Sequence, residues 1–221
     1  GITIYPDSPL RIITYVNTFG QDNTAVLGNG GWSRDTRDSA IYPTRGAISR
    51  AYLETGLPGG SLQFYKINTQ HQRYFPLTRD LTLLVNGDIG YGNGLGGKPL
   101  PFFRNYYVGG ISSLRGFYTA TASPKDANGD PVGGSKKMVG STELLFPFPG
   151  MRNDKSVRVG AFIDAGVADE TYAFGQLRVG TGLSVLWVSP FGPIKMSAAQ
   201  PVRSQPGDQK QQFQFTFGSQ F

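Results

Sequence analysis

The chain has 221 residues, with 31 glycines, 13% aromatic and 16% charged residues, a single histidine and no cysteine. Average domains carry about 7% Gly and about 25% charge, so this composition points to a β-rich chain and excludes a disulfide scaffold, thiolate chemistry and histidine-built metal sites or triads. The net charge of +6 is spread without a block of like charge, the chain opens without the basic-then-apolar pattern of a signal peptide, and no apolar run approaches the roughly 20 residues that a membrane helix needs.

In chain order, the first expected element is a short helix. Ser8 offers an N-cap and Pro9 the first helical position; Leu10, Ile13 and Val16 follow at helical spacing, and Gly20 can close it. Strands are expected near 25–36, 46–57, 61–75, 80–93, 136–149, 155–168, 176–188, 192–201 and 209–221. Most links at 37–45, 76–79, 150–154 and 189–191 are short and contain Pro or Gly, whereas 94–135 is long. Membrane barrels put short turns on the periplasmic side and long loops outside, so 1–24 and 94–135 read as external loops.

The strands alternate with period two. Val157, Val159, Ala161, Ile163, Ala165 and Val167 share one face, and Arg158, Gly160, Phe162, Asp164 and Gly166 the other. The last strand sets Phe213, Phe215, Phe217 and Phe221 against Gln212, Gln214, Thr216, Gly218 and Gln220. A soluble sandwich gives this alternation with its apolar face inward; a membrane barrel turns the apolar face to lipid and the small or polar face to a wet lumen. The second arrangement is favoured by strands of about 10 to 14 residues, long against a mean of about 5–6. A tilted membrane strand needs about 9–11. The opposite face, rich in Gly, Ser, Asn and Gln, also suits a lumen. The expected fold class is therefore all-β, an antiparallel transmembrane β-barrel with about nine strands visible. Nine is an odd number where bacterial single-chain barrels have even ones, so the chain reads as the C-terminal portion of a larger barrel or, with one strand fewer, as an eight-stranded closed barrel.

Several motifs fall in order along the chain. Gly109-Gly110-Ile111-Ser112-Ser113-Leu114-Arg115-Gly116-Phe117 resembles the hydrophobic-Arg-Gly-aromatic loop motif of the BamA family of outer-membrane barrel-assembly proteins. Gly90–Lys98 with Pro101-Phe102-Phe103 resembles that family's approach to the same loop. Asp35–Asp38 with Pro43–Gly46 resembles its periplasmic turn, and Ser189–Pro193 with Ala199-Gln200-Pro201 its penultimate hairpin. The alternating terminal Phe residues resemble its C-terminal insertion signal. The family's barrel is sixteen-stranded and preceded by POTRA domains, so the resemblance implies that the POTRA domains and the first seven strands are absent from this sequence.

The resemblance further implies that loop 94–135 folds into the lumen and that Leu114, Arg115, Gly116 and Phe117 form its tip. Arg115 would then face acids on the inner wall. Parity offers two: Asp164, on the polar face of its strand, and Glu143, which shares a face with Ser141 opposite Leu144 and Phe146. A guanidinium can fork onto carboxylates with several donors. Phe213, Phe215, Phe217 and Phe221 would serve as insertion signal and gate strand. The implied function is assembly and insertion of outer-membrane proteins in the bacterial outer membrane, by strand pairing at a lateral gate. A polypeptide-secreting or passive pore of the same superfamily is the alternative. Implied partners are outer-membrane lipid and lipopolysaccharide, unfolded outer-membrane protein clients, and assembly-machinery lipoproteins held through regions absent here.

Other constellations read as structural. Gly92, Gly94 and Gly97 match G-x-G-x-x-G, but Pro99 and Pro101 follow where a dinucleotide fingerprint needs a helix. Glu143 and Asp164 could form an acid–base pair, yet no nucleophile accompanies them. No enzymatic activity, catalytic residue, cofactor or metal is expected. Nucleic acid is not an expected partner, because no basic stripe is interleaved with aromatics.

Overall fold

The computed structural model describes residues 2–5, 8–151 and 154–218. Its elements are α1 (Leu10–Phe19), β1 (Val26–Asp35), β2 (Gly46–Leu57), β3 (Phe64–Pro76), β4 (Thr82–Gly94), β5 (Gly116–Phe117), β6 (Lys136–Pro147), β7 (Val157–Asp169), β8 (Arg178–Ser189), β9 (Gly192–Arg203), β10 (Lys210–Gln211) and β11 (Phe213–Phe217). Nine strands form one sheet in the order β1-β2-β3-β4-β6-β7-β8-β9-β11. Every neighbouring pair in it is antiparallel. Among the described residues β1 and β11 are its two edges and do not pair with each other.

Antiparallel neighbours put alternate links at opposite ends of the sheet. Links 36–45, 77–81, 148–156 and 190–191 share the turn end; links 58–63, 170–177, 204–209 and the long segment around β5 share the loop end. The α1 helix also lies at the loop end, where the Tyr15 ring packs edge-on against Phe102 and Phe103 of the long loop. Gly20 closes the helix at φ 86°, its N–H reaching the Val16 carbonyl. The expected Ser8 cap is corrected. Pro9 takes the cap position without a side-chain bond, Leu10 opens the helix, and the Ser8 hydroxyl instead accepts the Tyr5 N–H at 2.8 Å.

The direction of the alternation decides between the two arrangements left open by period two. Phe213 and Phe215 are 78% and 79% exposed, while Gln214 between them is 5% exposed. Ile163, Leu183, Ile89 and Val85 likewise face outward, and Arg158, Asp164, Arg178 and Ser184 are buried on the other face. A sandwich would bury those phenylalanines. The apolar side of this sheet is bare and the polar side is covered, the inverted pattern of a lipid-facing wall.

The last strand departs from the expected single run over 209–221. Only β11 joins the sheet, through Phe213↔Ala198 to Phe217↔Ile194. Its loop-end extension, β10, turns away and pairs with β5 in the long loop. Phe221 lies outside the described residues.

Candidate functional site

The long loop lays its tip on the inner face of the sheet. Leu114 and Phe117 are fully buried and pack with Val108 and Ala122 of the same loop, against Val139 of β6 and Ala168 of β7. These apolar contacts seat the loop; the residue between them supplies the charge. Gly116 holds φ 94°, a left-handed conformation that a side chain resists. That turn sends Arg115 toward the wall and Phe117 into the apolar cluster.

Arg115 reaches three wall residues. Its Nε and Nη2 donate to the two Asp164 carboxylate oxygens at 2.7 Å each. Its Nη1 donates to Glu143 at 3.0 Å and its Nη2 to the Ser141 hydroxyl at 3.2 Å. The Arg115 backbone N–H adds a bond to Asp164 at 3.1 Å. The guanidinium carbon lies 3.3 Å from the centroid of the Phe162 ring. Burial alone would lower the Arg115 pKa; the hydrogen bond to Asp164 and the charges of Glu143 and Asp164 outweigh it and hold the guanidinium above its ordinary value.

The strand register explains why these residues meet. Ser141 lies opposite Asp164, and Glu143 opposite Phe162, across the β6–β7 pair. All four project from the inner face over a patch two residue pairs long. Ser141 donates to Asp164 at 2.6 Å, and the Ser184 hydroxyl of β8 donates to Glu143. Both carboxylates are thus hydrogen-bonded as well as ion-paired, which buried acids require. Gly180 leaves room for the loop backbone: a Cβ there would run into the Arg115 carbonyl oxygen.

The loop tip also touches the sheet's last strand. The Gln214 side chain of β11 donates its amide to the Phe117 carbonyl at 2.7 Å and accepts the Gly116 N–H at 3.3 Å. The expected site residues therefore divide. Leu114, Arg115, Gly116, Phe117, Glu143 and Asp164 come together; Phe213, Phe215 and Phe217 lie on the opposite, outward face. Residues that sequence reasoning passed over are Ser141 and Ser184 as carboxylate partners, Phe162 as the stacking ring, and Gln214. Membership of the polar parity was the one available signal for the two serines and the glutamine.

A second buried ion pair holds the loop end. Arg178, at the start of β8, donates to both oxygens of Asp208 in link 204–209 at 3.0 Å and also reaches the Ser123 carbonyl. At the turn end, Arg37 pairs with Asp35 at 2.6 Å.

A long-stranded antiparallel sheet with its apolar face bare, and a loop pinned to its polar face by a buried arginine, is the wall of an outer-membrane β-barrel. The Omp85 superfamily domain matches residues 10–221, and the chain belongs to that superfamily. The outer membrane protein assembly factor BamA of Neisseria meningitidis is 34% identical over an alignment covering 100% of this chain and 33% of that protein. BamA of Nitratidesulfovibrio vulgaris is 29% identical over 90% of this chain and 26% of its own length. The crystal structure of BamA from Haemophilus ducreyi lacking POTRA domains 1–3 superposes with a TM-score of 0.89 at 27% identity, over 99% of this chain and 49% of that one. The chain thus spans about a third or less of these curated relatives and about half of the solved chain. The resemblance carried by the loop motif holds along the whole sequence, and the outer membrane is its location.

Proposed function

We propose that this chain is the loop-locked part of an insertase barrel that assembles outer-membrane proteins, and that it works without catalysis. The observation that carries the reading is the contact of one loop tip with both the wall and the last strand. Arg115 is fixed to Asp164 and Glu143, and Gly116 and Phe117 are bonded to Gln214 of β11. Among the described residues the last strand is an edge of the sheet with an apolar outward face, and a client strand can add to such an edge by backbone pairing. Lipid cannot satisfy backbone N–H and C=O groups, and that deficit drives a client hairpin to pair before it enters the bilayer.

The partners proposed on this reading are unfolded outer-membrane protein clients at the edge, lipid and lipopolysaccharide around the apolar face, and assembly lipoproteins bound elsewhere in a longer protein. The absence of catalysis is supported by the state of the two acids. Asp164 and Glu143 are both engaged by Arg115 and by serine hydroxyls, which leaves neither poised to move a substrate proton.

The test is client folding in liposomes carrying the full-length protein. Arg115→Ala should slow insertion of a small β-barrel client at least tenfold without raising ion conductance in step. Normal insertion together with a large rise in conductance would favour a pore.

A further inference from the structure

The outward face is not apolar throughout. Val85 and Ile89 point out from β4, and Gly87 between them shares their parity. The register carries that parity from Gly87 to His71, Ser49 and Arg34 across β3, β2 and β1. Arg73 and its cross-strand partner Ala47 face the same way. Four polar side chains therefore stand around the methyl group of Ala47 on a face turned to lipid. Two contacts order them. Ser49 Oγ lies 2.8 Å from His71 Nδ1, and the Arg73 guanidinium lies 4.9 Å from the centroid of the Phe75 ring.

The cluster is incomplete. Arg34, His71 and Arg73 are exposed. Among the described residues neither guanidinium makes a hydrogen bond or an ion pair, and His71 Nε2 has no partner. Gly87, beside His71, opens onto empty space where a side chain would begin. The acids of β1–β4 are of no help to these cations: Asp35, Glu54 and Asp88 all take the inward parity and pair with Arg37, Arg104 and Lys137. The depth of the patch is set by the strand ends. Arg34 is the penultimate residue of β1, and Arg73 lies in the turn-end part of β3. On the lipid face of a barrel, charge is tolerated near the interface and costly toward the midplane. Strand spacing and rise put the Arg34 and Arg73 Cα atoms about 12 Å apart, a gap that two arginine side chains close over Ala47.

We propose that this patch binds the headgroup of one anionic phospholipid from the leaflet at the sheet's turn end. Arg34 and Arg73 take the phosphate, which suits the forked donors of a guanidinium. His71, oriented by Ser49, donates from Nε2 to an oxygen of the glycerol esters one step deeper. A zwitterionic headgroup fits worse, because its ammonium would enter a patch that already holds two cations and no acid. The inference goes beyond the proposed function and does not rest on it; it requires only that the outward face meets lipid.

The test uses the full-length protein in bilayers of phosphatidylcholine and phosphatidylglycerol. A bimane label at Ala51→Cys, outward on β2 beside Ser49, reads the neighbouring lipid through quenching by brominated acyl chains. Brominating each lipid in turn gives their relative affinity, and a label at Leu183→Cys, outward on β8, is the control. Phosphatidylglycerol should be favoured at least about fivefold at 51 and scarcely at all at 183. Arg34→Gln with Arg73→Gln should bring the ratio at 51 down to that at 183, and His71→Phe should lower it with both charges kept. Equal ratios at 51 and 183 in the otherwise unaltered protein overturn the proposal. So does a preference that survives His71→Phe in full, since that is diffuse attraction to charge. If the double variant does not fold, the two label positions and His71→Phe decide. Quenching at 183 by either lipid reports that the outward face meets lipid, so equal ratios there and at 51 count against this site alone.

Discussion

Arg115 and Phe162 form a stacked pair, the guanidinium carbon 3.3 Å from the ring centroid, with Asp164 and Glu143 taking the guanidinium's edge. Face and edge are thus both occupied, and the group is fixed in position as well as in charge. Lysine could keep the charge but neither the planar stack nor the forked bonds.

That geometry ranks two substitutions. Phe162→Leu retains an apolar side chain and loses the ring, which should cost about 0.5–2 kcal/mol. Arg115→Lys loses the stack and most of the donors and should cost more. The temperature at which the folded band disappears on unboiled gels reports both. Arg115→Lys melting with the unaltered protein would contradict the arrangement.

The two acids should also separate. Asp164 accepts two guanidinium bonds, the Arg115 backbone N–H and the Ser141 hydroxyl; Glu143 accepts one guanidinium bond and the Ser184 hydroxyl. Removing one member of a buried pair costs about 3–5 kcal/mol, an upper bound on a wet inner face. Asp164→Asn should therefore destabilise more than Glu143→Gln in urea unfolding from bilayers. The reverse order would show that Glu143 is the principal anchor.

A turn-end carboxylate gives a pH dependence. Partial burial pulls the Asp38 pKa up, but the Thr44 hydroxyl and N–H and the Arg45 N–H outweigh it and hold the carboxyl below the usual range. Its contribution is complete above the unfolded-chain value of about 4 and is lost as pH falls through the lower folded-state value. The melting difference between the unaltered protein and Asp38→Asn should be constant above about pH 5 and shrink on acidification. A difference that grows toward low pH would contradict the bonding seen here.

The strands were legible because alternation is local: each residue's face follows from its neighbours, and Pro- or Gly-bearing links mark most of the ends. Asp164 and Glu143 could be named because parity fixes their face once the loop motif asks for acids. The break at Gln212 was not legible, since Phe213 and the glutamines keep alternating through it. Beside the break the Gln214 side chain holds the Phe117 carbonyl, 97 residues away, and no local pattern encodes that contact. Phe162 was hidden for a related reason: a ring on the polar parity reads as an exception until the register sets it opposite Glu143. Ser8 misled because it forms a turn with Tyr5 instead of a cap.

The whole account depends on which way the alternation faces. Nitroxide labels placed singly at residues 213 to 217 of the full-length protein in lipid bilayers measure this directly, through relaxation by oxygen, which concentrates in acyl chains, and by a water-soluble nickel chelate. The account predicts high oxygen and low nickel accessibility at 213, 215 and 217, with oxygen accessibility falling sharply at 214 and 216. Labels at 213 and 215 that are shielded from oxygen, or no more accessible to it than the label at 214, would contradict it.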